Sequence, residues 1–332
     1  MTSDVAPVAT PLPQISPASW EHPTDRAALG ALRTIPGFDA VLRKVVGMFG
    51  ERNIRINYQA QALRVGPTQY PDLHRELVAA CEVLDTEVPP LYVSQTPLAN
   101  AGAVGMDHPF IVLNSALVEL SSPAQLRFVL GHEVAHIMSE HALYRTLLFL
   151  LLDLARPAGV VVGPAAWPIT LALLEWNRKS EISCDRAGVL TVQEPAVAYG
   201  ALGVMAGGIR GREGQIDIDA LKAQSAEYLD GNGLDGFFKF MSTAGRTHPF
   251  PVIRVAELTT FIDDGPYRAI LDGGYVRRGQ EGPLVDDLAA AQRGFSDSAQ
   301  KVFTNADEYV NQTLLNWAST LRRRGAGADD GG

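Results

Sequence analysis

One stretch constrains this chain more than any other: Ser122-Pro123-Ala124-Gln125, an apolar run from Leu126 to Gly131, then His132-Glu133-Val134-Ala135-His136. Ser122 is placed to cap a helix, with Gln125 as its reciprocal partner and Pro123 at the first helical position. The spacing predicts a helix from Pro123 to about His141. Within it His132 and His136 stand at i and i+4, one turn apart on one face, so both imidazoles can reach one ion. Glu133 sits about 100° round the helix and can hold a water beside that ion. Zinc lowers the pKa of such a water towards ~7, and Glu133 accepts its proton as hydroxide attacks a carbonyl. With only seven histidines in 332 residues, a chance HExxH inside a well-capped helix is a rare coincidence.

Catalytic zinc takes three protein ligands and keeps one position open. The longer HExxHxxGxxH pattern is absent, since Ser139 stands where its Gly would be and Ala142 where its last His would be. Glu140 and His141 follow on the same helix. A straight helix cannot set three successive stripe positions round one ion, so both are read as solvent or packing residues. The third ligand is sought in Ser180-Glu181-Ile182-Ser183-Cys184-Asp185-Arg186, where Glu181 and Asp185 again have i, i+4 spacing. Glu181 could bind the ion while Asp185 takes the outer N–H of a metal-binding His. The competing reading is a solvated face on which both acids pair with Arg178 or Lys179. The upstream HExxH tips the choice to the ligand reading, with Glu175 as runner-up. Cys184 and Cys81 are read as small core residues.

Composition sets the rest. Hydrophobic residues are 46% and charged residues 20%, enough for a sizeable core. A net charge of −9, with no basic run longer than Arg322-Arg323-Arg324, argues against nucleic acid as a partner. Two distant cysteines make no disulfide scaffold and suit a reduced, cytoplasmic setting. Met1 to Ile15 lacks the basic and apolar regions of a secretory leader.

Along the chain, prolines at 7, 11, 13, 17 and 23 make residues 1–23 a disordered tail by expectation. Residues 24–260 are read as the catalytic domain, 261–322 as a helical extension, and 323–332 as a polar, Gly-rich tail. Helical spacing recurs at Leu29 and Leu32, at Val41 to Phe49, and at Leu73, Leu77, Val78 and Cys81 behind a capping Asp72. Leu91 to Val93 and Phe110 to Leu113 read as strands. The second is taken as the edge of the cleft, to which a peptide could add a strand, with His108 as a surface turn residue before it. A further helix from near Leu171 carries Glu181 and Asp185. The expected fold is α+β, mostly helical, with a small antiparallel sheet beside the HExxH helix.

Residues 142–176 are strongly apolar, yet they cannot cross a membrane. His136 and Glu181 must meet at one ion, so they lie on one side of any bilayer, and only 44 residues separate them. Two crossings would need about 20 residues each, and Pro157, Pro164 and Pro168 interrupt the stretch. An apolar hairpin remains. It can pack on the core, touch the inner face of a membrane peripherally, or pair with another subunit.

Taken in order, Asn100-Ala101, Phe110 to Leu113 with Leu117, Gly131 to Ile137, Glu181 with Asp185-Arg186, and Thr247-His248-Pro249 with Arg254 form a recognisable series. Over roughly residues 70–260 the chain resembles the HtpX and CAAX-prenyl-endopeptidase family of zinc metallopeptidases, a gluzincin group. The resemblance implies a zincin-like fold and one Zn2+ per chain, bound by His132, His136 and Glu181, with Glu133 as general base. It implies an endopeptidase acting on proteins or peptides, in protein quality control or processing near a membrane. Cys184 stands where the family often has Ala. His248 is either a turn residue or, on the resemblance, a loop group that donates to the oxyanion or visits the metal. Two rival functions are a zinc-stabilised chaperone-like or interaction protein with a closed, inactive site, and zinc chemistry on a non-peptide amide or ester. A purely structural site has no use for Glu133.

Overall fold

The computed structural model describes residues 9–23, 25–26, 29, 51–105, 107–158, 167–230 and 250–281. The chain divides into two compact units, Met1–Pro283 and Leu284–Gly332, and all described residues belong to the first. The expected helices around Leu32 and Val41 to Phe49, the Thr247-His248-Pro249 loop, most of the 261–322 extension and the 323–332 tail lie outside them.

In chain order the elements are α1 (Glu51–Gln61), β1 (Ala62–Arg64), α2 (Pro71–Leu84), β2 (Leu91–Ser94), β3 (Ala101–Val104), β4 (Phe110–Asn114), α3 (Ser115–Leu120), α4 (Pro123–Met138), α5 (His141–Ala158), α6 (Trp167–Val192), α7 (Pro195–Gly207), α8 (Ile218–Asp230), α9 (Pro251–Asp263) and α10 (Tyr267–Leu271). Helix dominates and the sheet is small, as expected. The sheet is mixed rather than antiparallel: the order is β1-β2-β4-β3, and β2 and β4 run parallel.

β4 is an inner strand and not the cleft edge. Phe110, Ile111, Val112 and Leu113 are all buried, and a strand with both faces covered reads as a continuous apolar run. Ile111 and Leu113, with Leu91 and Val93, belong to the main core together with side chains of α2 and α4. Tyr92, Phe110 and Val112 face the other way, against Ile54 and Tyr58 of α1. The edge strand is β3, whose sequence Ala-Gly-Ala-Val carries almost no strand signal.

Helix α4 begins as the sequence predicts. Ser122 Oγ accepts from the Gln125 N–H and the Gln125 side chain accepts from the Ser122 N–H. It ends earlier than predicted, at Met138, because Glu140 adopts φ 57° and α5 starts afresh at His141. Helix α6 starts at Trp167, ahead of the predicted Leu171, and runs unbroken to Val192. It crosses α4 closely. A Cβ on Gly131 would overlap the Thr191 side chain, and a Cβ on Gly188 would lie 2.9 Å from the Phe128 ring. Two glycines facing the partner helix let the backbones approach and set His132 and His136 opposite Glu181 and Asp185. Helix α2 carries the predicted stripe of Leu73, Leu77 and Cys81, but its N-cap is Tyr70, with Pro71 in the first turn, rather than Asp72.

Residues 9–23 are no tail. Leu12, Ile15 and Trp20 are buried in the main core. The Leu12 N–H donates to the Val83 carbonyl at 2.8 Å, and the Ser16 N–H to the Val276 carbonyl at 2.9 Å. The prolines remove any periodic pattern, but they do not prevent three large apolar side chains from docking singly. The folded unit likewise runs past residue 260, since Phe261, Tyr267 and Ile270 join the same core. Helices α5 and α6 form the apolar hairpin and pack on each other. Among the described residues no helix is long and apolar enough to cross a membrane.

Candidate metal centre

The crossing of α4 and α6 brings five of the predicted side chains, His132, Glu133, His136, Glu181 and Asp185, into one buried cluster. His132 Nε2 and His136 Nε2 are 3.1 Å apart. Glu181 Oε2 lies 3.5 Å from the first, and its Oε1 lies 3.3 Å from the second. A tetrahedral ion with bonds of about 2.0–2.1 Å has ligand–ligand edges of about 3.3–3.4 Å. The His132 Nε2–His136 Nε2 edge and the two Glu181 approaches scatter about that value, the latter ending on different oxygens. With one oxygen taken from Glu181 the set offers three ligand atoms within 4.8 Å of one another, which suits one ion with a fourth position left over. Asp185 Oδ1 accepts from His132 Nδ1 at 2.9 Å, which leaves Nε2 to face the cluster. Glu175 lies on α6, and its side chain is outside the described residues.

Two arginines frame the carboxylates. Arg254, from α9, grips Asp185 with two hydrogen bonds, Nε to Oδ2 at 2.7 Å and Nη2 to Oδ1 at 2.5 Å. Arg145, from α5, reaches Glu133 Oε2 at 3.4 Å and Glu181 Oε1 at 3.5 Å. Glu133 is anchored a second time, because the Ala103 N–H of β3 donates to its Oε2 at 2.7 Å. Its other oxygen, Oε1, lies 4.0 Å from His132 Nε2, on the side of the cluster.

The electrostatics call for a cation at the centre. Burial opposes charge on His132, but the hydrogen bonds to Asp185 and Glu181 outweigh it and lift its pKa to about 9. Without metal, a proton on His132 meets the demand of the two acids. Burial, reinforced by the Arg145 cation, holds His136 well below its ordinary value, so that ring stays neutral and able to ligate. Burial pushes against ionisation of Asp185, yet the Arg254 guanidinium wins and keeps it below its ordinary value. Burial drives the Cys184 thiol well above its own.

The cluster opens on a cavity of about 350 Å³ lined by Ala101, Phe128, His132, Glu133, Glu181 and Arg254. On the other side of β3 lies a second cavity of about 300 Å³, bordered by Tyr58, Gly102, Arg145, Thr146 and Phe149. The edge strand therefore separates two hollows, with Glu133 bonded to its backbone.

Several residues of the centre are invisible to motif reading. Arg145 left one trace, a lone charge in an apolar run. His141 is buried rather than solvated, and its Nδ1 is 3.2 Å from His136 Nδ1. The left-handed Glu140 turns the chain back so that His141 faces the ring it follows. Asp25 Oδ2 lies 3.3 Å from His141 Nε2, and nothing in its neighbourhood signals this. His136, His141 and Cys184 also form a second group with metal-ligating geometry. His108 is exposed in the turn before β4, as expected.

A buried His-His-Glu cluster thus sits on two crossed helices, with a carboxylate beside it and an edge strand along it. The chain matches the model of peptidase family M48 over residues 67–262 and belongs to that family, among HtpX-like zinc metallopeptidases. It is 32% identical over 256 residues to the plastoglobule-localized metallopeptidase 48, chloroplastic, of Arabidopsis thaliana, covering 76% of this chain and 74% of that protein. A protease HtpX homolog of Ralstonia pickettii is 24% identical over 248 residues, 67% of this chain and 84% of its own. A protease HtpX homolog 2 of Methanosarcina mazei is 22% identical over 224 residues, covering 58% and 74%. No solved structure matches the chain. As a protease of this family it acts on protein or peptide substrates.

Proposed function

We propose that the chain is a zinc-dependent endopeptidase in which His132, His136 and Glu181 hold the metal and Glu133 is the general base. The observation that carries this reading is the buried cluster in which His132 Nε2 and His136 Nε2 stand 3.1 Å apart and the Glu181 oxygens Oε2 and Oε1 approach them to 3.5 and 3.3 Å, with Glu133 beside it. Zinc held there supplies an acidified water and polarises the scissile carbonyl. The chain's residues do the rest. Glu133 Oε2 is fixed by the Ala103 N–H and by Arg145, which leaves Oε1 to take the water's proton and pass it to the leaving amine. Asp185, locked by Arg254, holds the His132 ring in the tautomer that ligates.

The peptide runs along β3, not along β4. By strand alternation Ala101 points its N–H and C=O the same way as Ala103, outward from the sheet, and can pair with an extended substrate. The cavities on either side of β3 would take side chains of that substrate. His248, outside the described residues, keeps the role that the resemblance implies, a donor to the oxyanion. Both cysteines are buried free thiols, which suits a reduced, cytoplasmic setting.

The rival reading, a closed zinc-stabilised interaction protein, has no use for an anchored Glu133 or for a cleft beside the cluster. The test is metal analysis of the purified full chain alongside casein cleavage. About one zinc per chain is expected, with cleavage abolished by a chelator and restored by zinc. Stoichiometric zinc without any cleavage would favour the interaction protein.

A further inference from the structure

Behind the cluster, on the side away from the cleft, a second line of polar groups leads out of the α4–α6 crossing. His136 Nδ1 faces His141 Nδ1 at 3.2 Å. His141 Nε2 faces Asp25 Oδ2 at 3.3 Å. Asp25 is in turn held from two sides, by Trp176 Nε1–H on Oδ1 at 2.9 Å and by Ser183 Oγ–H on Oδ2 at 2.7 Å. Asp25, His141 and Ser183 are as buried as the metal cluster itself. None of Asp25, His141 or Ser183 is placed in the mechanism above, and Asp25 lies well ahead of the 67–262 span that matches the family.

With Asp25 ionised, the proton count along this line has one consistent solution. A neutral His136 that ligates through Nε2 carries its proton on Nδ1. That N–H must donate, and the group in front of it is His141 Nδ1, which must then be the accepting nitrogen. His141 therefore carries its own proton on Nε2, where the Asp25 carboxylate accepts it. Asp25 accepts from Trp176 and Ser183 as well, and a carboxylate has lone pairs for all three. The same count speaks against a second metal among His136, His141 and Cys184, because His136 cannot offer both nitrogens while remaining neutral.

On the reading that His136 binds zinc, we infer that Asp25 and His141 are positioning residues for the metal centre: Asp25 fixes the tautomer of His141, and His141 orients His136. His132 has its carboxylate directly, in Asp185. His136 has its own at one remove, with His141 inserted between, and the carboxylate comes from the N-terminal segment that docks on the peptidase core. Outer partners of a ligating histidine typically change metal affinity by about 10–100-fold when removed.

The experiment is a zinc titration of the full chain against a competing chelator, for wild type, Asp25→Asn, His141→Phe and the double variant, with thermal unfolding of each metal-free protein as a check on folding. Each single variant should bind zinc about 10–100-fold more weakly. The double variant should be no weaker than His141→Phe alone to within about 2-fold, because Asp25 acts through His141. Unchanged affinity in Asp25→Asn, or losses that multiply in the double variant, would overturn the inference. Should Asp25→Asn not fold, nitrogen-15 NMR of the zinc-loaded wild type decides. His136 should carry its proton on Nδ1 and His141 on Nε2, and a His141 protonated on Nδ1 would sink the proposal. A wild-type chain that binds no zinc fails earlier, and overturns the reading of the metal site itself.

Discussion

His132 gives one ring nitrogen to Asp185 and turns the other to the cluster, so its protonation is tied to metal binding. Without metal, its pKa of about 9 means that a proton occupies the place the ion would take. Metal must displace that proton. Apparent zinc affinity should therefore rise with pH from about 6 to 8, by about tenfold per unit, with close to one proton released per ion. Calorimetry in buffers of different ionisation heat measures the release, and a flat profile would mean that His132 is already neutral. Glu181→Ala should lower bound zinc while Glu175→Ala leaves it unchanged; metal analysis reporting the reverse would move the third ligand to Glu175. At this scale the sequence was informative wherever geometry is fixed by helical spacing. His132, Glu133 and His136, and then Glu181 with Asp185, are pairs or triplets on single helices, and the structure brings them together. Arg145, His141 and Asp25 were not legible as site residues. Each reaches the cluster through a tertiary event: the packing of α5, a left-handed glutamate, and a docked N-terminal segment.

Between helices, the distance from α4 to α6 is set by Gly131 and Gly188. Gly131→Ala puts a methyl into the Thr191 side chain, and overpacking of this kind costs about 1–3 kcal/mol. Chemical denaturation should show a loss of that size together with weaker zinc binding, because separating the helices draws Glu181 away from the two histidines. A neutral Gly131→Ala would mean that Thr191 rotates away freely. Start signals of elements were easier to read than their ends. Ser122-Pro123 with Gln125 marks the beginning of α4 in the sequence, whereas its end depends on Glu140 adopting a positive φ that nothing local to Glu predicts. The strands show the same asymmetry. β2 and β4 announce themselves by apolar runs, but β3 is built of small residues and is found only by its pairing with β4. β4 reads as an edge in the sequence because β3, which lies outside it, carries almost no strand signal.

For the whole molecule, the N-terminal segment belongs to the fold. Trp20 is fully buried with Leu12 and Ile15, and removing a large buried aromatic costs about 3–5 kcal/mol. Trp20→Ala should lower the melting temperature accordingly, and an unchanged melting temperature would return residues 9–23 to the status of a tail. Proline content hid this docking, since burial of isolated side chains leaves no period to read. The coarse architecture, helices round a small sheet, was legible because it follows from apolar patterning. The mixed order of the strands was not, because strand pairing is non-local. All of this packing serves to hold one carboxylate beside one metal cluster, and Glu133→Gln tests that claim most directly. It keeps the side chain's size, preserves the three proposed ligands, and removes only the group that takes the proton. With wild type and variant compared at equal zinc occupancy, kcat/KM for peptide cleavage should fall by at least about 10²-fold in the variant; a Glu133→Gln protein that cleaves as well as wild type would contradict the account.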